Sequence, residues 1–174
     1  MRKRTMSDAL RAALRSGSVS FWSAMPGRIE DYNEGEQRAS VKPLLQRRGS
    51  DGEAISRPII TGVPLMWPAA GGASVTMPVK RGDGVLIVFV DRSMDKWLTQ
   101  GGETLPDDSR AHDYNDAVAI PGLFSFADAT GHDNTATEMQ YAGSSIRLEE
   151  SGDITIQAAG DVNVSGGTFN WESS

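Results

Sequence analysis

The sequence predicts a mainly β protein: a short N-terminal helix, an OB-fold-like barrel and a C-terminal intertwined trimeric β-helix. Three observations carry that prediction. Short apolar segments between residues 18 and 92 are separated by Gly and Pro corners. A four-residue strand unit repeats from residue 144 onward. The 174 residues suffice for one domain and an appendage, not for several cores. The expected boundaries are 1–17 for the helical segment, 18–100 for the barrel, 101–143 for an irregular wrap and linker, and 144–174 for the β-helix.

Residues 5–16 read as one amphipathic helix. Met6, Leu10, Ala13 and Leu14 recur at spacings of three and four, and Gly17 ends the pattern. Three turns are marginal in isolation, so this stripe needs a partner. Strand patterning then begins. Val19 and Phe21 share one side, with Trp22 opposite, and Met25-Pro26-Gly27 is expected to bend or bulge the first strand before residues 28–32. Asn33-Glu34-Gly35-Glu36 reads as a hairpin turn, with residues 39–46 returning from it. Pro43 marks that return as an edge strand or a strand end.

Residues 47–53 read as a polar loop, and residues 58–67 as a strand broken by Gly62 and Pro64. Gly71-Gly72 turns the chain into residues 74–78, and the run from Lys80 to Gly84 turns it again into residues 85–91. This last segment is the most apolar and is expected to be central. About five strands with Gly and Pro corners match a small Greek-key barrel. An OB-type barrel fits best; periodicity alone does not separate it from an SH3-like one. Residues 93–97 suggest a helical turn. Residues 117–120 and 123–126 suggest short strands about a Pro121-Gly122 corner, and residues 127–137 a linker.

The repeat follows. Ser-Ile-Arg-Leu (145–148), Asp-Ile-Thr-Ile (153–156), Asp-Val-Asn-Val (161–164) and Thr-Phe-Asn-Trp (168–171) start eight, eight and seven residues apart. Each unit places two apolar residues on one face. A small stack of such strands has nothing to lie on and is marginal in water. Three chains wound about one axis solve this, with Ile146, Leu148, Ile154, Ile156, Val162, Val164, Phe169 and Trp171 pointing inward. At ~1.5–3 kcal/mol per buried side chain, three chains would gain several tens of kcal/mol before entropy. The competing reading is a pair of ordinary hairpins folded back on the barrel.

Composition narrows the function. Net charge is −6, and the only basic cluster is Arg2, Lys3 and Arg4, which argues against nucleic acid. Cysteine is absent, so no disulfide or thiolate chemistry is expected. The longest apolar run, residues 85–90, is far short of a membrane span, and the N-terminus lacks a signal-peptide core. His112 and His132 lie twenty residues apart in polar loops, so no metal is expected. Asp107-Asp108 and Glu149-Glu150 lack the differing environments that catalytic carboxylates need, and Asp91 and Asp95 suit capping or turns. No cofactor and no catalytic residue is expected; the protein is not read as an enzyme.

Several segments resemble a known family. Residues 77–85 (Met-Pro-Val-Lys-Arg-Gly-Asp-Gly-Val) and 88–97 (Val-Phe-Val-Asp-Arg-Ser-Met-Asp-Lys-Trp) resemble the N-terminal domain of small membrane-puncturing spike proteins of contractile-tailed bacteriophages. So do Pro26-Gly27-Arg28-Ile29 and Ala119-Ile120-Pro121-Gly122-Leu123. The Asp-Ile-Thr-Ile and Asp-Val-Asn-Val units are similar to the triangular β-helices of phage and type VI secretion spikes. The resemblance covers roughly residues 18–171.

It implies a homotrimer at the centre of the tail baseplate, assembled in the host bacterial cytoplasm and carried in the virion, whose needle meets the host outer membrane transiently. Such a spike contributes stiffness and threefold symmetry, not bond making. Family members often end in a His-x-His metal tip. Here no histidine follows His132, so no tip iron is expected. The needle is read as short, with Phe169 and Trp171 as an apolar platform for a separate tip protein. Met6, Leu10 and Leu14 would face the tail hub or tube. The alternatives are an OB-fold module binding oligosaccharide or oligonucleotide, the spike of a phage-related secretion or tailocin device, and, last, a spike-fused cell-wall hydrolase.

Overall fold

The computed structural model describes residues 6–7, 22–128 and 134–168. The chain forms two units, Met1–Ser125 and Phe126–Ser174, each taken here by itself. Of the N-terminal helix only Met6 and Ser7 are described, both helical and exposed. Leu10, Ala13, Leu14, Val19 and Phe21 lie outside the described residues.

The first unit is a curled antiparallel sheet. β1 (Ala24–Asn33) pairs with β2 (Arg38–Pro43) on one side and β8 (Gly84–Phe89) on the other. β5 (Ile60–Pro64) adds to β2, and β9 (Ala117–Pro121) adds to β8. The order is therefore β5-β2-β1-β8-β9. The two outer strands approach each other at a parallel bridge between Leu65 and Ala119, where the Met66 amide donates to the Ala119 carbonyl at 2.9 Å. Two small hairpins decorate the sheet: β3 (Arg47–Arg48) with β4 (Ala54–Ile55), and β6 (Ala69–Ala70) with β7 (Ala73–Ser74) about Gly71-Gly72. A short helix, α1 (Asp95–Gln100), follows β8.

Alternation makes the core. β8 buries Val85, Ile87 and Phe89 and turns Gly84, Leu86 and Val88 the other way. Ile29, Val41, Ile60, Val63 and Ala119 close over them. Gly27 sits between Val41 and Ile87, where a Cβ would stand within 2.9 Å of both side chains. Trp22 and Tyr114 pack against the margin of this core beside Phe89, with ring centroids 5.1–5.9 Å apart.

Several expectations change. The first strand does not bend at Pro26; β1 runs straight through it. The Ser23 and Ile29 carbonyls both accept from the β8 side, so odd residues of this stretch present their backbone groups to β8. Pro26 faces β2, beyond that strand's end, and only its carbonyl is used, by the Leu44 amide. Its missing donor costs the ladder nothing. The irregularity falls at Glu30 instead, between the Ile29–Val41 and Asp31–Ser40 pairs. Pro43 does end its strand. The residues 47–53 loop is framed by β3 and β4. The apolar strand β8 is interior, but the middle place belongs to β1. Within residues 101–143, expected as an irregular wrap and linker, the short strand read at 117–120 forms as β9 of this sheet, residues 123–126 form no strand, and β10 of the next sheet is an addition.

At the end of β9 the chain crosses over the start of β8. Gly122 takes φ +105°, a conformation that favours glycine. Its amide donates to the Gly84 carbonyl at 3.0 Å. A side chain at Gly84 would overlap the Leu123 carbonyl oxygen.

The second unit is a three-stranded antiparallel meander: β10 (Ala136–Tyr141), β11 (Ser144–Glu149) and β12 (Ile154–Gln157), in that order. Ala142 and Gly143 take φ of +50° and +82°, the positive pair that a tight two-residue hairpin requires. The units at 145–148 and 153–156 form strands as expected. The unit at 161–164 does not: Val162 and Val164 are exposed, and no ladder pairs them among the described residues.

Candidate assembly interface

The registers of the second unit decide which side chains share a face. Met139, Ile146 and Ile156 form one row across the sheet; Thr137, Leu148 and Ile154 form the next. Tyr141 lies in line with them on β10. This face is apolar. The opposite face carries Glu138, Gln140, Arg147, Glu149, Thr155 and Gln157. There Arg147 lies 2.6 Å from Glu149 and 3.7 Å from Glu138. The segregation is clean: charges on one side, branched aliphatics and Met139 on the other.

The apolar side is not covered. Ile146 and Leu148 are 43% and 46% exposed, Ile154 and Ile156 67% and 62%. Met139 and Tyr141 are exposed to a similar degree. A folded chain does not ordinarily leave six large apolar side chains on one short sheet in water. Three strands of four to six residues also need something to lie on.

Of the residues expected in the trimer core, the structure brings Ile146, Leu148, Ile154 and Ile156 onto one face. Val162 and Val164 lie beyond the sheet. Phe169 and Trp171, expected as a docking platform, lie outside the described residues, as do Leu10 and Leu14. Met6 is described and exposed. Sequence reasoning missed Met139 and Tyr141. Their signal was the alternation of Thr137, Met139 and Tyr141 just before a hairpin turn, in a stretch read as linker and wrap.

The first unit holds a polar knot that composition did not reveal. The Arg110 guanidinium donates to Asp116 at 2.7 and 3.1 Å, to Asp95 at 2.5 Å and to the Ser93 hydroxyl at 2.8 Å, with Asp108 3.2 Å away. Asp116 is buried at 3% exposure, so Arg110 neutralises a carboxylate out of reach of water. The hydrogen bonds that Arg110 donates to Asp116, then to Asp95, push its pKa above its already high ordinary value. This knot ties α1 and the residues 101–116 loop to the start of β9.

A second anchor lies nearby. The Tyr114 hydroxyl donates to the Pro58 carbonyl at 2.7 Å, and burial pushes its pKa up. The Arg57 guanidinium lies 4.5 Å from the Trp22 ring centre. Of the paired carboxylates expected in loops, Asp107 pairs with Lys96 and Asp108 with Arg110, while Glu149 ends strand β11 and pairs with Arg147. His112 lies 3.2 Å from Asp91; His132 is outside the described residues. Among the described residues no three His, Asp or Glu side chains gather as a metal site, and no helix is long and apolar enough to cross a membrane.

Residues 25–122 match a family model described as the phage protein Gp138 N-terminal domain. The match takes in all five strands of the curled sheet apart from the first residue of β1, and spans more than half of the chain. No curated protein matches the chain.

Proposed function

We propose a role that starts from one premise: the chain belongs to the family of the phage protein Gp138 N-terminal domain. It is a structural component of a phage particle, and we place it at the centre of a contractile-tail baseplate as a homotrimeric spike. The single observation that carries this is the bare apolar face of the β10-β11-β12 sheet, backed by a charged opposite face. Three copies with these faces turned to a common axis bury the aliphatics and leave Arg147, Glu138 and Glu149 in water.

The first unit supports the same reading. A sheet ordered β5-β2-β1-β8-β9, closed by a parallel bridge between its outer strands, follows the strand order of an OB-type barrel. In this reading the barrel is the collar and the second unit begins the needle, which works by shape and stiffness when the sheath contracts and makes no bonds. The N-terminal segment meets the tail hub, and the residues after the sheet receive a separate tip protein. The spike of a related secretion or tailocin device would use the same parts.

Mass in solution tests this reading. Light scattering on the purified chain at micromolar concentration is expected to give three times the 18.7 kDa chain mass. A clean monomer would sink the proposal.

A further inference from the structure

The segment from Lys42 to Arg57 carries a charge opposite to that of the chain. Lys42, Arg47, Arg48 and Arg57 outnumber Asp51 and Glu53, whereas the whole chain stands at −6. Elsewhere in the first unit cations are mostly matched: Arg28 and Arg81 by Glu30, Lys96 by Asp107, Arg110 by Asp116. None of the four in this segment has a carboxylate partner among the described residues.

Two of the four fasten the fold. The Lys42 ammonium donates to the Arg57 carbonyl at 2.5 Å. The Arg57 guanidinium donates to the Leu45 carbonyl at 2.8 Å and lies over Trp22. The Gln46 amide donates to the Ser56 hydroxyl at 3.3 Å. These bonds join the two legs of the β3–β4 hairpin at its base. Arg47 and Arg48 have no such task. Both are exposed, and no hydrogen bond or ion pair engages their side chains among the described residues. Adjacent strand residues point to opposite faces, so Arg47 shares a face with its partner Ile55 and Arg48 with Ala54. The hairpin is a finger with one guanidinium on each flank. Its tip, Gly49-Ser50-Asp51-Gly52-Glu53, is closed by the Gly49 amide on the Glu53 carbonyl and the Gly52 amide on the Gly49 carbonyl, and it carries the two carboxylates.

We propose that this hairpin docks in an acidic cleft of a protein partner, with carboxylates meeting Arg47 on one side and Arg48 on the other. A guanidinium fork matches a carboxylate two bonds at a time, and a fastened base lowers the ordering cost of binding. The half-exposed Leu44 and Leu45 beside the base suit the apolar rim of such a cleft, a contact that a phosphate backbone does not offer. An anionic bilayer would meet Asp51 and Glu53 at the tip first and repel them. A long polyanion would meet the remaining surface of a chain at −6. The docking needs no particular number of copies.

The test uses the purified full chain and fluorescein-labelled poly-L-glutamate, with anisotropy read at low and at raised salt. The parent is expected to bind, more weakly as salt screens the charges. Arg47→Gln with Arg48→Gln should weaken binding about tenfold, and Arg47→Glu with Arg48→Glu should abolish it. Arg38→Gln with Lys80→Gln removes the same charge outside the hairpin and should stay within about threefold of the parent, because separated surface charges are screened. Melting temperatures of all variants should match the parent. No binding by the parent, or equal losses in the two Gln pairs, overturns the proposal. So does a fall in melting temperature confined to the Arg47 and Arg48 variants, which would make these arginines structural. Binding to a short DNA duplex, or to vesicles of equal parts phosphatidylglycerol and phosphatidylcholine, that is tighter than to poly-L-glutamate and lost with Arg47 and Arg48 overturns the protein partner in favour of a phosphate surface.

Discussion

Replacing Ile156 by Asp should cost the chain its oligomeric state. Ile156 is 62% exposed in one copy and sits opposite Ile146 on the apolar face. Full burial of an isoleucine is worth ~1.5–3 kcal/mol. About three-fifths of that is unrealised in the single chain, so assembly would recover ~1–2 kcal/mol per copy and ~3–6 kcal/mol per trimer by the same coefficient. Losing it lowers the association constant by about 100- to 10,000-fold at ~1.4 kcal/mol per tenfold. Three carboxylates facing one axis only add to the loss. Light scattering over a dilution series from roughly 100 to 1 µM, a range chosen to bracket typical affinities, should show trimers falling apart at concentrations where the parent holds. Ser165→Asp, at an exposed position outside any strand, is the control and should behave as the parent. If both variants dissociate alike, or neither does, the assignment of the inward face is wrong.

Other outcomes concern the first unit. Gly27→Ala places a methyl 2.6 Å from Ile87 Cδ1 and 2.9 Å from Val41 Cγ1, so urea unfolding should show a loss of about 1–3 kcal/mol; an unchanged midpoint would mean that β1 shifts freely. Arg110→Met strands the buried Asp116 carboxylate and should cost about 3 kcal/mol, whereas Asp95→Asn, whose carboxylate is exposed, should stay within about 1 kcal/mol in the same denaturation assay. Hydrogen bonding from Arg28, joined by Arg81, holds the Glu30 carboxyl below its ordinary 4.5. Its contribution is complete above 4.5 and fades as pH falls through the lowered value. Glu30→Gln should therefore flatten the acid limb of a melting-temperature-against-pH curve, and identical limbs would refute the pairing. Elemental analysis of the purified chain should find no stoichiometric iron; finding it would point to a metal-bound tip.

The strands of the curled sheet were legible wherever alternation was strong, as in residues 85–89, and wherever a turn had the right residues, as at Asn33 to Glu36. β9 was read as a strand on slight grounds, and β10 was missed. Ala117–Pro121 is short and follows a long polar stretch, and only its pairing with β8 makes it a strand. β10 has just Met139 and Tyr141 as large apolar residues, and its identity depends on the register with β11. Alternation also overreached: Asp161–Val164 has the same pattern as 153–156 but no neighbour to pair with among the described residues. The bulge at Glu30 was invisible because it depends on which strand lies alongside, while Pro26 drew attention for a donor the ladder does not need. The Arg110 knot joins residues 93, 95, 108, 110 and 116, and no periodicity links them. For the assembly face, four of its six large apolar residues could be read directly from the repeat.

The crossing of the chain over Gly84 has a mechanical consequence. A tug on the chain beyond residue 125 would, on a bare sheet, peel β9 from β8 one bond at a time, starting at the Val85–Pro121 pair. The bend at Gly122 and its bond to Gly84 act instead as the strain relief on a cable. They pass sideways load to β8, which β1 and β9 grip along both flanks, so the outer ladder of the curled sheet is not the first thing to carry it.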